Sequence, residues 1–299
     1  MHSTTAFSLF KKGITMNQIK EKSMRLLFFA CACISILAVA LICIFMFSQG
    51  FPAMAEIGVL RFLFGTDWSP TEGSFGILPM IVGSIYVTAG AILVGVPIGL
   101  LSAVFLAKFC PRRLYAIIMP AVRLLAGIPS VIYGFFGLVV IVPAVRTLFG
   151  GSGKSVLTAS VLLGIMILPT IITVSESALQ AVPTSYYEGS LALGATHERS
   201  VCAVTLPAAR SGVLAGIILG IGRAMGEALA VSMIAGNQPI IPNSLFAGVR
   251  TLTANIVVEM GYAEGLHKEA LIATAVVLFV FILIINVSFS LVKKKGVSK

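Results

Sequence analysis

Two ionisable side chains, Arg223 and Glu227, stand in a run of the chain that is otherwise apolar. An arginine can hold an oxyanion with its planar set of N–H donors, and a glutamate can accept a proton from a partly protonated anion. Charged groups within an apolar span are costly, face the interior or a cavity, and by default mark a transport pathway. The combination favours a phosphate-like ligand over a sugar.

The same pair allows a second interpretation, because residues spaced i and i+4 are neighbours on a helix surface. Arg223 and Glu227 could form a neutralised ion pair that only fixes helix packing. We favour the pathway, since a buried pair is poor evidence of stability and apolar residues could replace it. Arg223 lies about 18 Å along a helix from Ser211, which places it near the middle of a bilayer.

The run that carries this pair, residues 211–235, also has a face of small residues. They recur at every fourth position: Gly212, Gly216, Gly220, Ala224 and Ala228. Small residues at this spacing let another helix approach closely within a membrane. The sequence therefore predicts a spanning helix that packs tightly against a neighbour.

Composition places these residues in a polytopic membrane protein. The 299 residues are 58% hydrophobic and 11% charged, which leaves too little polar surface to cover a soluble globule. We attribute the net charge of +10 to the orientation of the spans and predict no nucleic-acid partner. The five cysteines do not have the spacing of a disulfide framework or a metal site.

Six apolar runs are predicted to cross the membrane, which gives an all-α fold class. They are residues 26–47, 77–107, 128–148, 156–174, 211–235 and 271–292. The second is longer than a straight crossing needs, and we expect it to bend at Pro97, between Gly95 and Gly99. A short helix over 114–126 is expected at the membrane surface, where Arg123 either reaches the headgroups or pairs with the cytoplasmic loop.

The amino-terminal region allows two interpretations. Residues 1–25 form a basic tail in which Met16 could be a second start. The tripeptide at 53–55, Ala-Met-Ala, resembles a signal-peptidase site, but the apolar run before it exceeds the roughly 7–15 residues of a signal peptide. We expect an uncleaved first span, followed by an external segment over 48–76.

Basic residues are distributed unevenly between the predicted spans. Of the 21 lysines and arginines, 14 lie in four segments: 1–25, 108–113, 176–210 and 293–299. Because basic residues concentrate on the cytoplasmic side, both termini and the 176–210 segment are predicted to be cytoplasmic. The core, residues 77–292, then contains five further spans.

The 176–210 segment has the pattern of a helix-turn-helix outside the bilayer. Ser185 and Glu188 are spaced as a capping box, so Glu188 could simply start a helix that Gly194 ends. Pro207 predicts a further helix boundary, because the residue before a proline avoids the α region.

Residues 150–155, Gly-Gly-Ser-Gly-Lys-Ser, invite comparison with a phosphate-binding loop. That motif needs a glycine at the position of Leu148 and a preceding strand, whereas both flanks here are apolar helices. The three histidines, His2, His197 and His267, are scattered over exposed segments. We therefore predict no enzyme active site, and no cofactor held by this chain.

The polar loop resembles the EAA loop of ABC importer permeases, which reads E-A-A, three residues, Gly, nine residues, I-x-L-P. The matching positions are Glu188-Gly189-Ser190, Gly194 and Val204-Thr205-Leu206-Pro207. Over about residues 60–292 the chain is also similar to PstC-type permeases of phosphate-specific importers. Three stretches carry this similarity: 64–70 (FGTDWSP), 125–134 (LAGIPSVIYG) and 222–231 (GRAMGEALAV). Arg123 departs from these permeases, which often have an acidic residue there.

The resemblance implies a type I ABC importer permease in the bacterial inner membrane. Its partners would be a PstA-type sister permease, a PstB-type cytoplasmic ATPase dimer that uses ATP and Mg²⁺, an external PstS-type binding protein and membrane lipid. Arg223 and Glu227 would line the path, and sulfate, molybdate or phosphonate is the alternative substrate. The loop would be a coupling helix in a groove of the ATPase, through Tyr187, Glu188, Gly189, Ser190, Gly194, Leu206 and Pro207.

Overall fold

The structure is a computed structural model that describes the backbone of residues 3–297 and the side chains of residues 20–288. It divides into two units, one ending at Gln49 and one beginning at Gly50. Helix α1 (Ser3–Ile57) forms the first unit and enters the second. Within the first unit its apolar side chains, such as Leu26 and Ile36, are exposed, as expected of a helix that lipid or a partner covers.

The second unit is a helical bundle with one small hairpin. Its longer helices are α3 (Leu78–Val104), α4 (Arg112–Ala126), α7 (Val156–Gln180), α11 (Arg210–Gly226) and α14 (Gly265–Val297). Its shorter helices are α2 (Val59–Phe64), α5 (Ser130–Phe136), α6 (Val142–Phe149), α8 (Thr184–Ala192), α9 (His197–Ser200), α10 (Leu206–Ala208), α12 (Leu229–Ile234) and α13 (Leu252–Glu259). Strands β1 (Trp68–Ser69) and β2 (Ser74–Phe75) pair antiparallel.

Within the described chain, five helical segments are long and apolar enough to cross a membrane. They are Lys20–Ile57, Leu78–Phe109, Ser130–Phe149, Val156–Gln180 and Gly265–Ser288. A sixth is counted if a bent pair, His197–Ala208 and Arg210–Gly226, with an angle of 70° between its halves, is taken as one span. The predicted all-α fold class with six spans is confirmed, and the short helix predicted over 114–126 is α4.

Helix α7 lies at the centre of the bundle, with α3 and α11 packed along it. A Cβ atom added at Gly95 of α3 would lie 2.7 Å from Ile167, and one at Gly99 would lie 2.9 Å from Ile171. These glycines, interpreted above as the flanks of a bend, therefore allow α3 to approach α7 closely. Pro97 lies between them, inside a helix that continues on both sides.

The small-residue face of α11 packs on α7 in the same way. A Cβ added at Gly212 would lie 2.4 Å from the Ala178 Cβ, and one at Gly216 would lie 3.1 Å from the Ser175 hydroxyl. One at Gly220 would lie 3.0 Å from Ile171. The face ends before Ala228, because α11 stops at Gly226.

We expect Gly212→Ala to destabilise the subunit by about 1–3 kcal/mol, the usual cost of overpacking a tight contact. Gly222→Ala is the matched control on the same helix, since a Cβ there meets no heavy atom within 4 Å. Thermal unfolding in detergent measures both. Equal midpoints for the two variants would contradict the close α7–α11 contact.

Two ends of the second unit carry the features discussed below. The hairpin end consists of β1, β2 and residues 150–155 and 236–264. Hydrogen bonds from Val156 N to Ala247 O (3.0 Å) and from Leu157 N to Leu245 O (2.8 Å) join the start of α7 to the 236–264 segment. The loop end consists of residues 105–113 and 181–209. Residues 150–155 follow helix α6, so they do not have the strand that precedes a phosphate-binding loop.

Candidate functional site

Arg223 and Glu227 lie on either side of a break in the predicted span. Helix α11 ends at Gly226, Glu227 is extended (φ −74°, ψ 121°), and α12 begins at Leu229. The expectation that the two side chains are neighbours on one helix surface is therefore wrong. The Glu227 carboxylate instead accepts a hydrogen bond from Ala230 N (3.1 Å), which satisfies a free N–H group in the first turn of α12.

Arg223 has no carboxylate partner among the described side chains. The ion pairs within 4.0 Å are those of Glu259 with Arg250 and with His267, and the Arg223 guanidinium donates only a long hydrogen bond, 3.4 Å, to the Thr170 hydroxyl of α7. The structure thus does not support the alternative of a neutralised Arg223–Glu227 pair. An arginine without a counter-ion in an apolar span creates a site that favours an anion.

The break faces open space on one side. A Cβ added at Gly222 or Gly226 would meet no heavy atom within 4 Å. Arg223 and Glu227 are themselves partly buried, so they border this open face without being fully exposed. The arrangement can hold an oxyanion between the bundle and whatever covers the open face.

The polar loop at the loop end differs in detail from its prediction. Helix α8 begins at Thr184 after Pro183, and no side chain caps it, so Ser185 and Glu188 do not form a capping box. A capping box needs serine or threonine at the N-cap itself. Here Pro183 occupies the N-cap and Ser185 lies in the first turn, which explains the difference. Glu188 is exposed instead.

Two of the predicted loop residues face inward. The Tyr187 hydroxyl lies 2.6 Å from His197 Nδ1, and the Ser190 hydroxyl lies 3.0 Å from that of Ser200. The His197 ring also packs edge-on against Phe109, with ring centroids 4.7 Å apart. Tyr187 and Ser190 therefore hold α8 against α9 and do not offer a contact surface.

Other residues of the loop form its outer surface. Glu188, Gly189 and Leu191 are exposed, and Leu193 is 91% exposed. Gly194 ends the helix in a left-handed conformation (φ 84°), as the sequence predicts, and a Cβ there would meet no heavy atom within 4 Å. Next to this surface, hydrogen bonds from its own N–H group and from the Thr196 hydroxyl lower the pKa of the exposed Glu198.

The boundary predicted at Pro207 is displaced by two residues. Leu206 is helical (φ −64°, ψ −46°) and Pro207 lies in the first turn of α10, directly after a π-helical turn, Val201–Thr205. The wider turn shifts the carbonyl groups that a proline ring would otherwise meet. The 70° bend falls at Ala209, between α10 and α11.

Sequence reasoning missed a polar contact at the loop end of α7. Glu176 was expected to mark the end of a span, but α7 continues to Gln180 and buries Glu176. Tyr115 of α4 donates a hydrogen bond of 2.9 Å to the Glu176 carboxylate, and Gln180 also bonds it. The hydrogen bond to Glu176 is the main cause that raises the pKa of Tyr115, and burial of the hydroxyl is the second. The spacing of Glu176 and Gln180, i and i+4, was the available signal.

It also missed a buried cluster at the hairpin end around Glu259. Trp68, Arg250 and His267 all contact its carboxylate. These residues come from four separate segments, and Trp68 and Glu259 are 191 positions apart. No local spacing could have revealed their contact.

Comparison with known proteins identifies the family of this chain. Residues 95–295 match the family described as the binding-protein-dependent transport system inner membrane component. The chain is 38% identical over 280 residues to the Probable ABC transporter permease protein YqgH of Bacillus subtilis, covering 90% of this chain and 91% of the relative. It is 36% identical over 265 residues to the phosphate transport system permease protein PstC of Mesorhizobium japonicum, covering 82% and 81%.

Solved structures with a similar fold include a subunit of the MetNI methionine ABC transporter in an inward-facing conformation. It superposes with a TM-score of 0.61 at 22% sequence identity, covering 77% of this chain and 99% of that chain. At this identity the likeness concerns the fold alone.

Proposed function

Since the chain belongs to the family of inner membrane components of binding-protein-dependent transport systems, we propose that it forms half of the transmembrane path of an ATP-driven importer for inorganic phosphate. The observation that carries the substrate class is Arg223, an arginine without a counter-ion at a helix break that faces open space. The PstC-type relatives, similar over most of their length, support phosphate in particular.

The chemistry of Arg223 and Glu227 explains how phosphate would be distinguished from other oxyanions. The guanidinium of Arg223 offers paired donors to any tetrahedral oxyanion. Only one oxygen of Glu227 is engaged, by Ala230 N, so the other is free to accept a hydrogen bond. Phosphate near neutral pH carries a P–OH donor, whereas sulfate and molybdate carry none.

The remaining partners follow from the same proposal. A PstA-type sister permease would cover the open face beside Gly222 and Gly226, and a PstS-type binding protein would deliver phosphate to the hairpin end. A PstB-type ATPase dimer would bind the exposed side of α8, and ATP and Mg²⁺ would belong to that subunit. Both termini and the loop end would then be cytoplasmic, as the positions of 14 of the 21 basic residues favour.

Uptake of labelled phosphate by vesicles that contain the whole complex tests the substrate. We expect ATP-dependent uptake that unlabelled phosphate abolishes and that a tenfold excess of sulfate or molybdate reduces by less than about twofold, because a hydrogen bond from the P–OH group to the Glu227 carboxylate contributes about 1.5–3 kcal/mol, a factor of about ten or more. Omission of ATP is the control. If one of these anions suppressed uptake as effectively as unlabelled phosphate does, that anion would replace phosphate as the proposed substrate.

A further inference from the structure

The Glu259 carboxylate joins three segments at the hairpin end. Trp68 Nε1 of β1 donates a hydrogen bond of 2.9 Å to Oε2, and His267 Nε2 of α14 lies 2.8 Å from the same oxygen. Arg250 donates to Oε1. Glu259 is buried, so displacing these partners would leave charged and polar groups unpaired at a high cost in free energy.

Glu259 is the last residue of α13, and the first turn of this helix contacts the break beside Arg223. The Thr253 hydroxyl donates a hydrogen bond of 2.9 Å to the backbone carbonyl of Glu227. Leu252 N donates one of 3.0 Å to the Ser84 hydroxyl of α3. This eight-residue helix thus connects the Glu259 cluster with the extended backbone between α11 and α12.

A second connection reaches the other flank of the break. Arg250 Nε donates a hydrogen bond of 3.0 Å to the backbone carbonyl of Asn237, and a second guanidinium nitrogen donates one of 3.0 Å to the Asn255 side chain. Asn237 follows α12 in a left-handed conformation (φ 52°), and its amide group donates to Ser232 O. The Glu259 cluster and α13 therefore contact the break itself, at Glu227, and the residues that follow α12, at Asn237.

The hairpin has an outer edge that a partner can reach. Asp67 and Glu72 are exposed, whereas Trp68 and Phe75 on its inner side are buried. Trp68 lies behind this edge and donates to the Glu259 carboxylate at the end of α13, so a displacement of the hairpin would act on α13 through this bond.

We propose that α13 and the Glu259 cluster, together called the α13 strut, communicate docking of the external binding protein to the helix break at Glu227. Glu259 and Thr253 are positioning residues in this role: Glu259 holds the strut to the hairpin, and Thr253 holds it to the break. The inference rests on the proposed function, because it takes the break as part of the phosphate path.

The test measures how strongly phosphate-loaded binding protein stimulates ATP hydrolysis by the assembled complex in lipid nanodiscs. We expect Thr253→Val to reduce the stimulation about fivefold, the effect of losing one net hydrogen bond, and Glu259→Gln to reduce it at least as much, because it also removes two charged contacts, without changing the unstimulated rate. The double variant should be no worse than Glu259→Gln alone, because both changes interrupt one connection. A purely structural role would instead lower the unstimulated rate or the yield of assembled complex as well.

Two matched controls separate the strut from general damage. Glu264→Gln removes an exposed acid at the same end, and Thr274→Val removes a buried hydroxyl that bonds only to Ala270 O of its own helix. Both should retain the stimulation. If Glu259→Gln does not assemble, Trp68→Phe, which removes the N–H donor to Glu259 and part of a buried ring but keeps Glu259 and its ion pairs, takes its place with an expected loss of about fivefold.

Unchanged stimulation in Thr253→Val, or losses that multiply in the double variant, would overturn the strut. Uptake by Glu227→Gln distinguishes this result from a failure of the proposed function. Normal phosphate uptake by that variant would contradict the path itself. Lost uptake there, combined with normal stimulation in the strut variants, would contradict the strut alone.

Discussion

Replacement of Arg223 by alanine is expected to reduce phosphate uptake by at least about a hundredfold, because two hydrogen bonds to a charged group contribute about 1.5–3 kcal/mol each and every 1.4 kcal/mol is a factor of ten. The subunit should still assemble with its ATPase, since Arg223 forms no ion pair within the described chain and only one long bond, to Thr170. Uptake per assembled complex, with the ATPase quantified by co-purification, measures the effect.

Two further variants test whether the effect is specific to the guanidinium of Arg223. Arg223→Lys keeps the charge but loses the planar pair of donors, so uptake should be intermediate. Arg146→Ala removes an exposed arginine near the end of α6 and should leave uptake unchanged. Normal uptake by Arg223→Ala would show that the charge serves packing and would remove the main support for an anion path.

The apolar runs were sufficient to predict the spans, because about 20 apolar residues are needed to cross a bilayer in any tertiary context. The close approach of α11 and α7 was equally accessible, since Gly212, Gly216 and Gly220 recur at helical spacing. These features depend on local composition and period alone.

The break at Glu227 could not be predicted from local sequence. A glycine such as Gly226 costs a helix only about 1 kcal/mol, and many helices contain one. Two interactions end α11 here. The Glu227 carboxylate caps the new helix α12, and the Thr253 hydroxyl, 26 residues away, donates a hydrogen bond to the backbone carbonyl of Glu227. The i, i+4 spacing of Arg223 and Glu227 therefore predicted a contact that the folded chain does not make.

The loop motif was predicted at the level of its helix and turn but not of its faces. The left-handed turn at Gly194 follows from residue type. The inward orientation of Tyr187 depends on His197, which is ten positions away across that turn. Motif spacing thus predicted the helix and its turn, while the structure shows that residues such as Glu188 and Leu193 form the exposed side.

Replacement of Gly194 by valine is expected to disrupt coupling to the ATPase. A left-handed residue with a β-branched side chain costs about 1–3 kcal/mol, and the space around Gly194 is open, so the strain acts on the turn and not on a neighbour. The turn should open and displace Leu193 and the outer side of α8. We expect ATP-driven uptake to fall at least about tenfold, with reduced co-purification of the ATPase.

Gly150→Val is the matched control for this variant, because Gly150 also has a positive φ (78°) and open surroundings but lies at the hairpin end. It carries at least as much backbone strain, because its ψ of −166° lies in a region essentially confined to glycine, and it does not touch the loop, so its co-purification with the ATPase should be close to that of the unmodified chain. Glu188→Lys, which reverses an exposed charge on α8 without straining the backbone, should weaken the same association. If Gly194→Val and Gly150→Val behaved alike, the loss would reflect strain in general, and the exposed side of α8 would not be the surface that binds the ATPase.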